Sequence, residues 1–350
     1  MHEAELTGSL PPCNEATWAG ESVSMKVATG LREVSDEFFQ FMQQLGIECV
    51  KLDNWKLLMS EPGACGIMKV DELRKLTEWL GRYEIRPYVF LLPQGPNTQY
   101  WNARFGQSPE ADAEIANVCE TIRICGGEGI PVVEWTWSIP DVWGRIPGPN
   151  TAGRGGAQVS RFNEHLLDGQ RHPLAIDMDA DTMWKNLTYF MDRVIPVAEE
   201  AGVRMAMHHH DPPTEFLSGE ARILNSFDGM KRFVEYIDSP ANGLNLCQGT
   251  LAEQKGVDVL GTIRYFGERD KINHCHFRNV KGQVPVFDES FIDDGDVDMY
   301  EAMKVYKGFG YRHCMMPDHV PQMTDDPKGR GSLAYAVGYI RALMHAVGEL

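Results

Sequence analysis

The chain has 350 residues, a length that fits one large α/β domain or two smaller ones. Its 50 acidic and 33 basic residues give a formal net charge of -17 at pH 7. This balance argues against a nucleic-acid partner or an anionic membrane surface, because both are held mainly by Lys and Arg. An anionic small molecule would therefore need a locally basic pocket.

The sequence contains no run of roughly 18 consecutive apolar residues, and its first 22 residues lack the basic and apolar segments of a secretory leader. We therefore expect a cytoplasmic protein without a membrane-spanning helix. The eight cysteines form no CxxC pair and mostly lie in apolar segments. This distribution is typical of reduced, buried thiols rather than of a disulfide framework.

Strand-like and helix-like segments alternate after a polar N-terminal arm at residues 1–22. We predict strands that begin near residues 25, 48, 86, 130, 203, 243, 272 and 312. We predict helices at 36–45, 71–83, 108–125, 182–201, 227–237, 257–266, 298–306 and 332–346. Ser35 and Ser108 are expected to cap the first and third helices, since a serine hydroxyl accepts a hydrogen bond from the first turn.

Eight strand–helix units in one chain indicate a (β/α)₈ TIM barrel, because every gap between strands is long enough for a helical crossover. We predict one barrel domain over residues 1–350. A doubly wound open sheet is the structural alternative, but no G-x-G-x-x-G motif follows the first strand. The long connection at residues 136–180 is rich in Gly and Pro, and we interpret it as either a functional lid or a disordered insertion.

Four successive strands end in a residue type that binds metal ions. His208, Cys247 and His276 close the fifth, sixth and seventh strands, and Asp318 follows the eighth. Because the carboxyl ends of barrel strands open onto one face, we expect these side chains to converge on one ion. Each residue alone is more typical of packing or hydrogen bonding, but the same relative position in four consecutive strands favours a metal site.

The ligand types restrict which ion could bind. Two imidazoles, a thiolate and a carboxylate suit Mn²⁺, Fe²⁺, Co²⁺ or Zn²⁺ better than Mg²⁺ or Ca²⁺. A catalytic ion must also accept substrate, so we expect five or six ligands in total. That number favours Mn²⁺ or Fe²⁺ over a closed tetrahedral zinc site.

Further polar residues flank these strand ends. His209, His210 and Asp211 follow the first ligand directly, and we predict that they contact substrate at the rim. Arg278 lies two residues beyond the third ligand, on the same face if the strand continues, where its guanidinium would hold a substrate carboxylate. A surface ion pair is the alternative interpretation of Arg278.

Five stretches around these positions resemble the mannonate dehydratase family of sugar-acid lyases. They are RMAMHHHDPP (204–213), ANGLNLCQGT (241–250), NHCHFRNV (273–280), DDGDVDMYEAM (293–303) and MMPDHVPQMTDD (315–326). The resemblance lies in the C-terminal part of the chain, while the N-terminal half is more divergent. It implies a xylose-isomerase-like barrel that uses Mn²⁺ to remove water from D-mannonate and give 2-keto-3-deoxy-D-gluconate.

The resemblance also implies roles for individual residues. It places the metal ligands on the same four positions that the strand ends suggest: His208, Cys247, His276 and Asp318. The family's catalytic histidine falls on His319. Its catalytic tyrosine corresponds to Tyr335, which is displaced by one position in this chain. The family's HPDDPP stretch appears here as HHHDPP.

The sequence therefore predicts a metal-dependent hydro-lyase that acts on a small sugar acid through an enediolate. Two alternatives remain open. One is a sugar isomerase or epimerase, or a lyase on a modified sugar, that uses the same metal site. The other is a non-catalytic barrel that binds a metal or a sugar acid. A homo-oligomer is compatible with the fold.

Overall fold

The computed structural model describes residues 24–60, 66–95, 98–138, 144–167 and 177–350. Within these residues, eight parallel strands form a closed barrel in which each strand pairs with the next along the chain and the eighth pairs with the first. The strands are β1 Lys26–Gly30, β2 Cys49–Leu52, β3 Arg86–Leu91, β4 Val132–Thr136, β5 Arg204–His208, β6 Asn242–Cys247, β7 Ile272–His276 and β8 Cys314–Met316. The predicted (β/α)₈ fold is confirmed.

A helix follows each strand, as the sequence predicted. The helices are α1 Asp36–Gln44, α2 Val70–Gly81, α3 Pro109–Gly127, α4 Ala180–Glu200, α5 Phe227–Tyr236, α6 Val259–Gly267, α7 Met299–Gly308 and α8 Arg330–Ala346. Every predicted helix end lies within two residues of the observed one. The strong period of apolar residues along these segments explains the agreement, because it marks the face that packs on the barrel.

Side-chain caps account for where the helices begin. The Ser35 hydroxyl accepts a hydrogen bond from the Phe38 backbone N–H at 3.2 Å, and the Ser108 hydroxyl accepts one from Ala111 at 3.1 Å. Both predicted caps are confirmed. Each cap satisfies one of the N–H groups that the first turn of a helix leaves without a partner.

The barrel interior changes from apolar to charged toward the carboxyl ends of the strands. A buried apolar cluster fills its lower part: Ala28, Cys49, Tyr88, Val89, Val132, Ala206, Cys314 and Met316. Side chains alternate across a strand, so the next inward position lies two residues further on. On β2, β4 and β5 these positions hold Lys51, Glu134 and His208. The alternation thus places polar groups next to the predicted site.

Several elements that the sequence did not predict lie outside the barrel. Arg161–Asn163, Val280–Gln283 and Val286–Glu289 form an antiparallel sheet with Val286–Glu289 in its centre. The sequence analysis also did not predict two short helices and one short hairpin: Trp55–Leu58, Gln248–Ala252 and the strands Phe216–Leu217 and Glu220–Ala221. Strands of two to four residues give too little alternation to be recognised in a sequence.

The antiparallel sheet outside the barrel includes part of the long connection at residues 136–180. Its strand Arg161–Asn163 belongs to the 136–180 segment and pairs with Val286–Glu289. This pairing argues against a disordered insertion at residues 161–163, and the role of the connection as a lid stays a prediction. Residues 139–143 and 168–176 of the connection, and the predicted arm at 1–22, lie outside the described residues. In the described ranges, none of the helices combines the length and apolarity needed to cross a membrane.

A buried ion pair crosses the barrel interior and generates a prediction about stability. The Lys51 ammonium lies 3.3 Å from the Glu134 carboxylate, and both side chains are less than 10 % exposed. Glu134→Ala leaves the Lys51 charge uncompensated and is expected to lower the free energy of unfolding by about 3–5 kcal/mol. Urea denaturation measures the loss.

Two further variants complete this stability test. The double variant Lys51→Met/Glu134→Leu should recover most of the loss, because it removes both buried charges. Arg82→Gln removes one side of the exposed Arg82–Glu78 pair and should change stability by no more than about 1 kcal/mol. A Glu134→Ala protein as stable as the wild type would contradict the importance of the buried pair.

Candidate metal and catalytic site

Three of the four predicted ligands meet at the carboxyl end of the barrel. One ligand atom from each of His208, Cys247 and His276 lies within 4.8 Å of the other two. The register of β6 and β7 places Cys247 directly beside His276, and the two imidazole rings are 5.2 Å apart between centroids. The convergence expected from the strand ends is therefore present in the structure.

Neighbouring groups orient both imidazoles. The Nδ1 atom of His208 lies 2.7 Å from the His209 carbonyl oxygen, so Nδ1 donates and Nε2 keeps a free lone pair. The Nε2 atom of His276 lies 3.0 Å from the Asn245 amide, while its buried Nδ1 forms no hydrogen bond with any residue that the structure describes. The Asn245 oxygen is also without a partner, and turning the amide lets it accept from Nε2–H.

The Cys247 thiol lies in a strongly cationic environment. The Arg278 Nε–H donates to Sγ at 3.2 Å. Burial raises the pKa of Cys247, but the charges of Arg278 and His276 outweigh burial, so the net pKa lies below that of an ordinary thiol. A thiolate is the form of cysteine that binds metal ions.

Asp318 completes the group from the loop after β8. Its backbone has a φ of +57°, the left-handed conformation that Asp tolerates better than most residues. Its Oδ2 lies 3.4 Å from both His276 Nδ1 and Arg278 Nε. Burial raises the pKa of Asp318, but His276 and His319 hold it well below its usual range. The fourth predicted ligand is therefore an ionised carboxylate beside the other three.

The donor set fits a divalent transition-metal ion. Two imidazole nitrogens, a thiolate and a carboxylate are borderline ligands. The buried Nδ1 of His276 forms no hydrogen bond with the described residues, and it lies 3.4 Å from the Asp318 carboxylate, so both atoms are placed to bind one ion. Glu134, His274 and His276 form a second close group. There, however, the Lys51 ammonium already balances the carboxylate. We therefore place the candidate metal site at the first group.

His319 is held by a buried carboxylate next to this site. Its Nδ1 lies 2.5 Å from Oε2 of Glu289, and its Nε2 lies 3.6 Å from Oδ2 of Asp318. The two carboxylates raise the pKa of His319 to about 9. The imidazole is 52 % exposed, whereas Glu289 is buried. Glu289 thus fixes the orientation of the His319 ring, while Nε2 of His319 stays accessible.

Two arginines tie the surrounding loops together. Arg278 Nη2 lies 2.7 Å from Asp211 Oδ2, and Arg145 Nη2 lies 2.7 Å from the other oxygen of Asp211. Arg145 also contacts Glu289 at 2.8 Å. Burial raises the pKa of Glu289, but the charges of His319, Arg278 and Arg145 hold it at about 2. The long connection therefore contributes a cation to the network that holds His319.

A cavity of about 460 Å³ opens beside Asp318 and His319. Its wall comes from the loops after β1, β7 and β8, from the added sheet and from residue 160 of the long connection. The other lining residues are Arg32, Ser160, Arg278, Asn279, Glu289, Ser290, Val320, Pro321, Gln322, Pro327, Lys328 and Gly329. The volume is large enough for a small organic ligand.

The residues predicted to contact substrate occupy different positions. Arg278 lies in the cavity wall and forms ion pairs, as the alternative proposed, but these pairs are buried, with the side chain only 3 % exposed, rather than at the surface. Its contact with a substrate carboxylate stays a prediction. His209 and His210 are buried: Nε2 of His209 lies 3.1 Å from the Cys247 carbonyl, and Nδ1 of His210 accepts from Leu224 N–H. These backbone hydrogen bonds hold both histidines within the folded loop. Contact of either histidine with substrate stays a prediction.

Asp211 and Tyr335 complete the set of predicted site residues. Asp211 is buried between Arg145 and Arg278, which hold its pKa below the usual range against the effect of burial. Tyr335 is 39 % exposed on α8 and packs edge-on against Phe291. It lines a narrow cleft together with His319. Substrate binding by Asp211 and catalysis by Tyr335 stay predictions.

Sequence reasoning missed four charged residues around the site. Lys51 and Glu134 carried a readable signal, since a charged residue inside an apolar strand requires a buried partner. Glu289 and Arg145 gave no such signal, because the sequences of segments 281–292 and 136–180 show no clear period of apolar residues. Only the folded arrangement brings these two beside His319.

Comparison with known proteins assigns the family. The model of the D-mannonate dehydratase (UxuA) family matches residues 170–349. The mannonate dehydratase of Streptococcus agalactiae serotype V (strain ATCC BAA-611 / 2603 V/R) is 34% identical over 270 residues, which cover 68% of this chain and 77% of that protein. The chain belongs to the D-mannonate dehydratase family. As a member of this family it is a hydro-lyase.

Solved structures agree with the barrel of this family. The crystal structure of mannonate dehydratase from Streptococcus suis serotype2 matches with a TM-score of 0.80 at 24% identity, covering 93% of this chain and 96% of that chain. A xylose isomerase domain protein from Alicyclobacillus acidocaldarius matches with a TM-score of 0.61 at 11% identity, covering 93% of this chain and 99% of that chain. At these identities the matches show a shared fold.

The geometry of the four candidate ligands predicts the effect of one cysteine on metal content. Cys247→Ala removes the thiolate and should strongly reduce the bound divalent metal, as elemental analysis of the purified protein measures. Cys275→Ala is the matched control, because this neighbouring thiol donates to Tyr306 OH at 3.2 Å and lies outside the cluster. Equal metal content in wild-type and Cys247→Ala protein would refute the four-ligand site.

Proposed function

We propose that the protein dehydrates D-mannonate to 2-keto-3-deoxy-D-gluconate, with Mn²⁺ held by His208, Cys247, His276 and Asp318. The observation that carries the proposal is the convergence of these four side chains beside His319, whose imidazole opens into the cavity. The relative from Streptococcus agalactiae carries the name mannonate dehydratase. Sugar acids are therefore the substrate class that we infer.

Loss of water from an aldonic acid requires removal of the proton at C2 and departure of the hydroxyl at C3. The C2 proton is weakly acidic, because the adjacent group is already a carboxylate. Negative charge develops on the carboxylate oxygens as an enediolate, which the protein must stabilise. When the C3–O bond breaks, the hydroxyl leaves as water, and the resulting enol takes a proton at C3 to give the 2-keto-3-deoxy acid.

The ligand environment prepares the donor atoms for an ion. A bound divalent ion supplies Lewis-acid stabilisation of the developing charge. Arg278 lowers the pKa of Cys247 and so favours the thiolate, and the His209 carbonyl fixes the tautomer of His208. We propose Mn²⁺ because four protein donors leave coordination positions for substrate oxygens on an ion that accepts six. Fe²⁺, Co²⁺ and Zn²⁺ fit the same donor types.

We assign proton transfer to His319 and, as a second group, Tyr335. Glu289 binds Nδ1 of His319, so Nε2 is the nitrogen that exchanges a proton with the ligand. Nε2 also lies 3.6 Å from Asp318 Oδ2, so it faces one of the side chains that would hold the ion. Tyr335 lines the adjoining cleft together with His319, and its phenol is partly exposed.

The proposed reaction predicts a specific product. Protein incubated with millimolar D-mannonate and Mn²⁺ should form a 2-keto-3-deoxy acid, detected by periodate–thiobarbiturate colour and mass loss of one water. Removal of the ion with a chelator should abolish the product, and added Mn²⁺ should restore it. Metal-loaded protein that gives no product would contradict the proposal, and an epimeric acid formed without loss of water would favour the epimerase alternative.

The proton-transfer assignment predicts the effect of two variants. His319→Gln removes the transferring nitrogen and should lower kcat by about 10²- to 10⁴-fold while metal content stays unchanged. Glu289→Gln should lower kcat less, because the amide oxygen still accepts from Nδ1–H. His345→Gln is the control, an exposed histidine near the end of α8. Steady-state kinetics measure all three, and full activity in His319→Gln would require another proton carrier.

A further inference from the structure

The cations in the cavity wall differ in how much of their hydrogen-bonding capacity is used. All three nitrogens of the Arg278 guanidinium already donate to buried groups: Nε to Cys247 Sγ, Nη1 to Glu253 at 3.2 Å and Nη2 to Asp211 at 2.7 Å. The Lys328 ammonium lies 3.3 Å from Glu33. Neither side chain therefore has its charge free for an anionic ligand.

Arg32 is the exception among the lining residues that the structure describes. Its guanidinium makes no hydrogen bond and no ion pair within 4 Å, and its side chain lies exposed in the cavity wall. Of the carboxylates that attract it electrostatically, Asp318 contributes most. The free charge is thus on the side of the cavity that faces the candidate metal site.

The loop that carries Arg32 is anchored to the opposite wall of the cavity. Glu33, the next residue, lies 3.3 Å from Lys328 and 3.2 Å from Arg330 at the start of α8. Gly329 lies between these two cations with a φ of +65°, and a Cβ there would lie 3.1 Å from Nη1 of Arg32. The ion pairs and the glycine therefore hold a defined space for the guanidinium.

We propose that Arg32 forms the anionic subsite of the cavity and binds the carboxylate of the sugar acid, an inference that rests on the proposed function. A protein with a net charge of -17 repels an anion unless a local cation compensates. Arg32 supplies that cation, and its planar guanidinium matches a carboxylate in a bidentate arrangement. It thereby selects sugar acids over neutral sugars.

The position of Arg32 suits the reaction as well as binding. The carboxylate adjoins C2, so it takes up the charge that develops when the C2 proton leaves. A guanidinium on that carboxylate stabilises the transition state more than the ground state. Ser160 and Gln322 line the same cavity without side-chain hydrogen bonds among the described residues, and they would meet hydroxyl groups of the sugar chain.

The test compares D-mannonate with D-mannonamide, its neutral isostere, on Mn²⁺-loaded protein. Arg32→Gln should raise KM for D-mannonate about 10- to 100-fold and also lower kcat, but it should leave the inhibition constant of D-mannonamide unchanged. Arg32→Lys keeps the charge but loses the planar pair of N–H donors, so its KM for D-mannonate should lie between those of the wild type and Arg32→Gln. The control is Arg82→Gln, a substitution of an exposed arginine that follows α2. Its KM for D-mannonate and its inhibition constant for D-mannonamide should equal those of the wild type.

The outcomes separate this inference from the proposed function. If the wild type does not turn over D-mannonate, the proposed function fails. The role of Arg32 can then still be tested by comparing calorimetric Kd values of the wild type and Arg32→Gln for D-mannonate and D-mannonamide. If Arg32→Gln weakens both compounds equally, the residue is structural and the inference is overturned. Unchanged constants in Arg32→Gln also overturn it, and a wild type that binds neither compound overturns both proposals.

Discussion

The site depends on one buried cation, the guanidinium of Arg278. It contacts the Cys247 sulfur, Asp211 and Glu253, and lies 3.4 Å from Asp318. Burial favours the protonated forms of Cys247 and Asp211, and the charge of Arg278 opposes this effect at both. At Glu253 burial prevails, and the pKa of that carboxyl stays raised. A neutral thiol and a protonated acid are poor ligands, so Arg278 prepares the donors even though it supplies no ligand atom.

The fold was predictable because its pattern is local and repeated. Apolar periodicity and caps such as Ser35 determine each helix within a short window, and eight strand–helix repeats leave few topologies. The convergence of His208, Cys247 and His276 followed from the same repetition, since equal positions on neighbouring parallel strands must meet. Asp318 was placed nearby for that reason too, although its left-handed backbone was not foreseeable.

The partners of these residues were not predictable, because they depend on contacts between distant and irregular segments. Glu289 reaches His319 only after the strand Val286–Glu289 folds over the barrel, and Arg145 arrives from a connection that gave no periodic signal. Arg278 illustrates the same limit. Its spacing from His276 indicated an inward side chain, but the spacing did not reveal that Glu253 and Asp211 would accept hydrogen bonds from its two Nη atoms.

The sheet that joins Arg161–Asn163 to Val286–Glu289 has a consequence for how the family can diversify. Ser160, in the cavity wall, directly precedes one of its strands, and Glu289, the partner of His319, ends another. Point substitutions at the wall can therefore change which sugar fits without moving the proton carrier. An insertion or deletion within either strand would shift the pairing and displace both together, so length changes should be tolerated only beyond the paired residues.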